Sequence, residues 1–142
     1  MGYTHYWKPQ REFTPAEWTR ITEVAKAMHA ISGVPLAREY DEPKSLPILG
    51  TDGEIRLNGI GRDGHETFLI LRKPDGGFAF CKTAHKPYDV MVTGVLAAIA
   101  DIAPGALKIS SDGTEEEWGD GLPLARAATE GEIAWPCVEN LW

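Results

Sequence analysis

Three short runs of the sequence concentrate the side chains that could bind or transform a small molecule. In the first, residues 3–7, His5 stands between the aromatic residues Tyr3 and Trp7. Aromatic rings stack on nucleobases, and a histidine titrates near neutral pH, so it can contact a phosphate or transfer a proton. The alternative is that these rings only fill a core, because aromatic side chains dominate burial.

The second run, residues 80–89, places three cationic side chains before a predicted helix. Lys82, His85 and Lys86 precede the helix N-terminus, whose free N–H groups and positive dipole end favour anions. In a chain with a formal net charge of -7, this is where we expect a phosphate to bind. Tyr88 adds a stacking ring and Asp89 a group that could contact a base or ribose. The alternative is that the lysines are only solvated and that Asp89 caps the helix.

The third run, residues 110–113, is a Ser-Ser-Asp-Gly loop after a predicted strand. Its aspartate could accept from a base edge or a sugar hydroxyl, and its serines could bind an oxyanion; the alternative is a turn with an N-cap. Asn58 is a further candidate contact to base or ribose. The predicted ligand-binding residues are therefore Tyr3, His5, Trp7, Asn58, Lys82, His85, Lys86, Tyr88, Asp89, Ser111 and Asp112.

The four histidines and two cysteines lack the spacing of a metal site, so we predict no metal and no cofactor. Cys81 with His85 as its base is a conceivable nucleophile, but the pair lacks a third, orienting group.

Local patterns predict the elements that position these side chains. Residues 2–8 alternate as a strand, with Tyr3, His5 and Trp7 on one face. A capping box at residues 14–17 begins a helix that ends near Gly33, and a second one at residues 114–117 precedes a last helix. Residues 34–53 are irregular. Three β-type runs follow as an antiparallel meander, then a buried helix and a short strand: residues 54–59, 66–72, 78–82, 88–103 and 107–110.

These elements predict an α+β fold in one domain, residues 1–142. We expect an antiparallel β-sheet of about four or five short strands, packed by two or three helices. The C-terminal tail, residues 133–142, could dock on its own domain or on a second copy, which makes a homodimer possible.

Composition excludes several classes of function. The net charge of -7 argues against a partner of duplex nucleic acid, because a phosphate backbone selects for clustered Lys and Arg. No apolar run approaches the length of a membrane span, and the N-terminus has no signal-peptide pattern. Two isolated cysteines give no disulfide framework, so a cytoplasmic location is expected.

Several of these motifs together resemble a set of small proteins of unknown function from bacteriophages and prophages. The shared motifs are the opening MGYTHYW, EIRLNG, ETF, FCKTA, KPYD and SSDG, and they span most of the chain. Those proteins carry arginine where this chain has His85, so the shared feature there is positive charge. The resemblance implies a phage-encoded protein in a bacterial host cell, and it implies no particular activity.

The leading hypothesis is a binding protein that sequesters a phosphorylated nucleotide, such as a cyclic dinucleotide or an ADP-ribose-like immune signal, from a host receptor. It rests on the co-occurrence of stacking rings and a cationic patch, and on analogy with phage sponge proteins.

Two alternatives stay open. In a metal-independent phosphodiesterase, His5 would be the general base, Lys82 would stabilise developing charge, and Tyr88 or His85 would protonate the leaving oxygen. In a protein-binding inhibitor, the acidic residues 112–120 would act as a decoy for a host protein that binds nucleic acid.

Overall fold

A computed structural model describes residues 2–139 of the chain, and it confirms the predicted α+β fold. Within these residues, three α-helices accompany six short strands in two antiparallel sheets. None of the helices within residues 2–139 combines the length and the apolar character that crossing a bilayer requires. In chain order the elements are β1 Thr4–Pro9, α1 Pro15–Ser32, β2 Ile48–Leu49, β3 Glu54–Leu57, β4 Phe68–Leu71, β5 Ala79–Lys82, α2 Asp89–Ile102, β6 Leu107–Ser111 and α3 Gly121–Thr129.

Helix α1 begins and ends where its sequence predicts. The Thr14 hydroxyl accepts from the Glu17 N–H at 3.1 Å, and the Glu17 carboxylate accepts from the Thr14 N–H at 2.9 Å. Pro15 occupies the first turn, where its missing N–H costs nothing. The helix ends at Gly33, whose φ of 64° is left-handed and suits a residue without Cβ.

The strand pairing corrects the predicted meander. The first two of its β-type runs do pair, as β3 and β4, and β2 adds a short third strand beside β3. The third run, β5, pairs instead with β1, so the second sheet has the order β5-β1-β6. Strand β1 buries His5 and Trp7 on one face, Tyr3 just before it is buried as well, and a strand buried this deeply takes the central position between two partners.

The helices cover one face of the β5-β1-β6 sheet. Trp7, Cys81 and Ile109, one from each strand, belong to the same core as the apolar side chains of α1, α2 and α3. Helix α2 is buried over most of its length, as its continuous apolar sequence predicts. The opposite face of this sheet carries the exposed side chains of Lys8, Phe80 and Lys108.

The second capping box forms but begins only one turn. Thr114 and Glu117 exchange the two expected bonds, at 3.1 and 3.2 Å, over the 3-10 turn Glu116–Trp118. Helix α3 then starts separately at Gly121. A Cβ there would lie 1.9 Å from the Thr93 hydroxyl of α2, so glycine permits this close approach of the two helices.

The described part of the C-terminal tail docks on its own domain. Cys137 forms a parallel bridge with Ile109 of β6, and the Val138 N–H donates to the Ile109 carbonyl at 2.8 Å. Trp135 packs edge-on against Trp118, with ring centroids 4.9 Å apart. Residues 140–142 of the predicted tail lie outside the described residues.

The capping box predicts a pH dependence of folding. Hydrogen bonds from Arg11 and from the Thr14 backbone lower the pKa of Glu17 from 4.5 to about 2. A carboxyl whose pKa is lower in the folded state stabilises the fold fully above pH 4.5, and this contribution is lost as pH falls through 2. Glu17→Gln should lower the free energy of unfolding by about 0.5–1 kcal/mol at pH 7, a small amount because the site is solvent-screened. Urea unfolding between pH 2 and 7 checks this, and a deficit that does not shrink on acidification would contradict it.

Candidate functional site

The structure brings parts of all three predicted runs together around His5. The His5 ring has no solvent exposure. Its Nδ1 lies 2.8 Å from the Ser111 hydroxyl of β6, and its Nε2 lies 2.6 Å from Asp89 Oδ1 at the start of α2. One side chain thus joins Ser111 and Asp89, which are 106 and 84 positions away from His5 in the sequence.

The donors around Ser111 determine which ring nitrogen of His5 carries the proton. The Ser111 Oγ accepts from the Gly113 N–H at 2.9 Å and from the Trp118 indole N–H at 3.2 Å. Both groups are donors only, so they occupy the acceptor capacity of the hydroxyl and leave its own proton for His5 Nδ1. The imidazole proton therefore sits on Nε2 and is donated to Asp89, which also accepts from Thr83 Oγ1 at 2.6 Å.

Serine, histidine and aspartate in a row resemble a nucleophilic triad by composition, yet this geometry does not suit nucleophilic attack. A serine nucleophile must present a free lone pair to the substrate, whereas both acceptor positions of Ser111 Oγ are used. His5 has no exposed atom through which to pass a proton to a ligand. The network provides hydrogen-bond partners for buried polar groups, and its role is to stabilise the fold.

The Cys81 and His85 pair does not form a nucleophile either. Cys81 has no solvent exposure, and burial raises the pKa of its thiol to about 12, so the thiolate is absent at neutral pH. The sulfur lies near the Tyr88 hydroxyl, at 4.0 Å.

Tyr3 and His85 stack beside the network. Their ring centroids are 3.5 Å apart at 20°, and Tyr3 is 5% exposed. The Tyr3 hydroxyl is buried without a hydrogen-bond partner among the described residues, and desolvation raises its pKa well above the usual value of 10. A Cβ on Gly113 would lie 2.3 Å from this hydroxyl, so the loop after β6 needs glycine there.

A polar cleft of about 190 Å³ lies next to this stack. Its lining includes the basic side chains of His85 and Lys86 and the carboxylates of Asp89, Glu117 and Asp120. His85 Nε2 is 3.8 Å from Glu117 Oε2. With three carboxylates against two basic side chains, the cleft does not provide the cationic field that a phosphate requires.

Three of the predicted ligand-binding residues lie apart from this cluster. Trp7 is buried in the core and meets Phe68 edge-on at 5.3 Å. Asn58 belongs to the other sheet, where its amide bonds His65, Gly59 and Thr67 and so fixes the loop after β3. Tyr88 is fully buried, and its hydroxyl donates to the Glu66 carbonyl.

Lys82 and Asp112 belong to the other side of the sheet, on a surface that we call the open face. Side chains alternate along a strand, so residues paired with Thr4, Tyr6 and Lys8 share their face. Phe80 and Ser110 flank Tyr6, Lys108 flanks Lys8, and Lys82 flanks Thr4. The open face comprises Thr4, Tyr6, Lys8, Phe78, Phe80, Lys82, Lys108, Ser110 and Asp112.

Three aromatic rings form a row on the open face. Tyr6 and Phe78 are stacked with centroids 5.9 Å apart at 16°, and Phe78 and Phe80 are 5.9 Å apart at 32°. Phe78 is 41% and Phe80 54% exposed, which is unusual for large apolar rings. These rings are not among the ligand-binding residues predicted from the sequence. The alternation of side chains along β1 does separate Tyr6 from the buried residues Tyr3, His5 and Trp7. The cross-strand pairing of Tyr6 with Phe80, had it been known, would have pointed to Phe80 as well.

Asp112 orients the Tyr6 ring at one end of this row. One carboxylate oxygen accepts from the Thr4 N–H and the other from the Tyr6 hydroxyl, each at 3.1 Å. Desolvation and the bond to Asp112 raise the pKa of Tyr6 above 10, so the phenol stays protonated at neutral pH.

Two lysines lie side by side next to the ring row. Lys8 and Lys108 are directly paired across β1 and β6, and both are exposed. Neither forms an ion pair with another of residues 2–139. Like charges directly opposite one another destabilise a sheet, and a bound anion would remove that repulsion.

No protein-family model, curated protein or solved structure matches this chain. The resemblance to phage proteins therefore stays a prediction. Within residues 2–139, His, Cys, Asp and Glu side chains do not gather in any group of three or more that could hold a metal ion.

Ser111→Ala should destabilise the fold by roughly 2–4 kcal/mol, because it leaves His5 Nδ1, the Trp118 indole N–H and the Gly113 N–H without their partner. Urea unfolding measures the loss. The matched control is Ser110→Ala on the open face, which should change stability by less than about 0.5 kcal/mol. Equal stability of the two variants would show that the network does not hold the fold.

Tyr3→Phe should raise the free energy of unfolding by about 1 kcal/mol, because it removes a buried hydroxyl that has no partner among the described residues. Tyr6→Phe, which breaks an exposed bond to Asp112, is the control and should cost a few tenths of a kcal/mol, as is typical of surface changes. Thermal and urea unfolding compare the two; a clear destabilisation by Tyr3→Phe would mean that the hydroxyl is in use.

Proposed function

We propose that the protein binds a phosphorylated nucleotide on its open face and holds it without cleaving it. The observation that carries this proposal is the juxtaposition of two exposed, directly paired lysines with a row of stacked rings that ends in the exposed Phe80. These are the two features that nucleotide recognition needs, a π-surface for the base and a cationic site for the phosphate.

The ring row offers a prepared stacking surface. Tyr6 is fixed by its bond to Asp112 and by its stack on Phe78, so little side-chain freedom is lost when a base binds. Phe80 is the most exposed ring of the row. Stacking of one base on such a ring contributes about 1–3 kcal/mol.

The lysine pair supplies the phosphate contact. An anion between Lys8 and Lys108 gains two charge-assisted hydrogen bonds and removes the repulsion of the unliganded pair. Together with one or two stacked bases, these contacts are of the size that gives micromolar dissociation constants.

The geometry favours binding over the phosphodiesterase alternative. His5, its proposed base, and Tyr88, one of its two proposed acids, are fully buried and engaged in internal hydrogen bonds. Tyr6, the phenol of the open face, stays protonated at neutral pH because its pKa is raised. A general base must have its catalytic pKa near the working pH, and this phenol does not meet that condition.

The biological role that we propose comes from the resemblance to phage proteins and not from the open face. In that setting the bound nucleotide would be an immune signal, kept from a host receptor in the cytoplasm. Retention of an intact ligand is what such a role requires.

Titration calorimetry with AMP, ADP-ribose and a cyclic dinucleotide tests the binding. Phe80→Ala should weaken binding by roughly 5–100-fold, the equivalent of one lost stack. The double variant Lys8→Gln, Lys108→Gln should weaken binding and make the dissociation constant less dependent on salt concentration, because the attraction between the lysines and the phosphate is screened by salt.

Two exposed positions elsewhere provide matched controls. Leu46→Ala removes an apolar side chain that is 75% exposed, and Lys26→Gln removes an exposed charge from α1. Both variants should bind as the unchanged protein does. Absence of heat with every nucleotide, or equal losses in controls and open-face variants, would refute the proposal. Heat denaturation in EDTA after binding should release intact ligand, and recovery of a hydrolysed product would favour the phosphodiesterase instead.

A further inference from the structure

We infer that the ligand of the open face contains two linked nucleotides, with two phosphates and two bases, and is not a mononucleotide. The inference rests on the proposed nucleotide binding and adds the ligand class. It comes from the placement of cations at both ends of the ring row, because AMP carries a single phosphate and can reach only one of these ends.

The two cationic ends are well separated. Lys8 and Lys108 lie at one end, and Lys82 lies at the other, paired with Thr4. Thr4 and Lys8 are four residues apart on β1, which corresponds to about 13 Å along the strand. Tyr6 and Phe80 occupy the interval between the ends.

The Lys82 side chain is directed away from the centre of the row. Its Cδ, Cε and Nζ atoms lie 2.6–3.2 Å from the point that a Cβ on Gly2 would occupy, so the ammonium reaches back along the N-terminal residues. Lys82 forms no ion pair with another described residue. It therefore forms a second cationic point, distinct from the lysine pair.

The Asp112 carboxylate determines which path a ligand can take between the two cationic ends. It sits beside Thr4 on the β6 side, where its backbone N–H donates to the Thr4 carbonyl at 2.9 Å. Its carboxylate repels a phosphate there, so the second phosphate is directed to the β5 side, where Lys82 stands. A ligand that satisfies both ends crosses the rings diagonally, from Lys108 past Tyr6 towards Lys82.

A single base stacked on Tyr6 or Phe80 places its own phosphate near one end and leaves the other end empty. Two linked nucleotides carry two bases and two separate phosphates, so they have a stacking partner for each ring and an anion for each cationic end. The shared chemistry is a dinucleotide unit, which either a linear strand or a cyclic dinucleotide provides.

Titration calorimetry at one fixed ionic strength compares AMP with three larger probes: 5′-phosphorylated linear diadenylate, cyclic diadenylate and 5′-phosphorylated tetraadenylate. At least one of the two dinucleotides should bind ten-fold or more tightly than AMP. A preference for the linear dinucleotide with further tightening by the tetramer identifies a single strand as the source, and a preference for the cyclic one identifies a cyclic signal.

Lys82→Gln separates the second phosphate from the first. It should remove most of the advantage in affinity that the dinucleotide has over AMP, and an unchanged urea-unfolding midpoint shows that the variant is folded. Lys26→Gln should change neither affinity.

The outcomes distinguish the two-nucleotide inference from the proposed nucleotide binding on which it rests. If AMP binds as tightly as both dinucleotides, the two-nucleotide inference is wrong and nucleotide binding stands. If Lys82→Gln weakens AMP and dinucleotide equally, Lys82 belongs to the first phosphate site and the inference is also wrong. If no probe binds, both proposals fail together.

Discussion

The buried imidazole of His5 is the point on which the architecture depends. It accepts a hydrogen bond from the Ser111 hydroxyl and donates one to the Asp89 carboxylate, so it ties the central strand to its neighbour β6 and to the first turn of α2. Each partner is itself held by further donors, from Trp118, Gly113 and Thr83. A satisfied polar network inside a low-dielectric core specifies one arrangement, because every alternative leaves several groups unpaired.

That constraint also determines which side chains reach solvent. Strand side chains alternate, so the inward direction of His5 requires Tyr6 and Lys8 to point outward. A slip of one residue would expose the histidine and bury a lysine, which is prohibitively costly. The stacked rings and the lysine pair of the open face are therefore fixed from inside the protein, by a network that itself contacts no ligand in our proposal.

Local signals predicted much of this fold. Three patterns are each local to one segment of the sequence: the capping box of α1, the continuous apolar run of α2 and the alternation of side chains in β1. The structure contains all three elements. The pairing of β5 with β1 was not predictable in this way, because contacts between distant segments have no local signature. Alternation grouped Tyr3 with His5 and Trp7, but it does not say which group faces solvent. Polar side chains such as His5 look functional in a sequence even when, as here, the core satisfies them completely.

The tail segment beside β6 has a consequence for association. Residues 137–138 occupy the outer side of β6 and use the Ile109 carbonyl, which would otherwise be available to a neighbouring strand. An uncovered strand edge is a template for pairing with another chain, and here the tail covers the outer edge of β6 at Ile109. Lateral growth of the sheet into a second molecule is thereby blocked along that stretch of β6, and a self-complementary contact has to use some other surface.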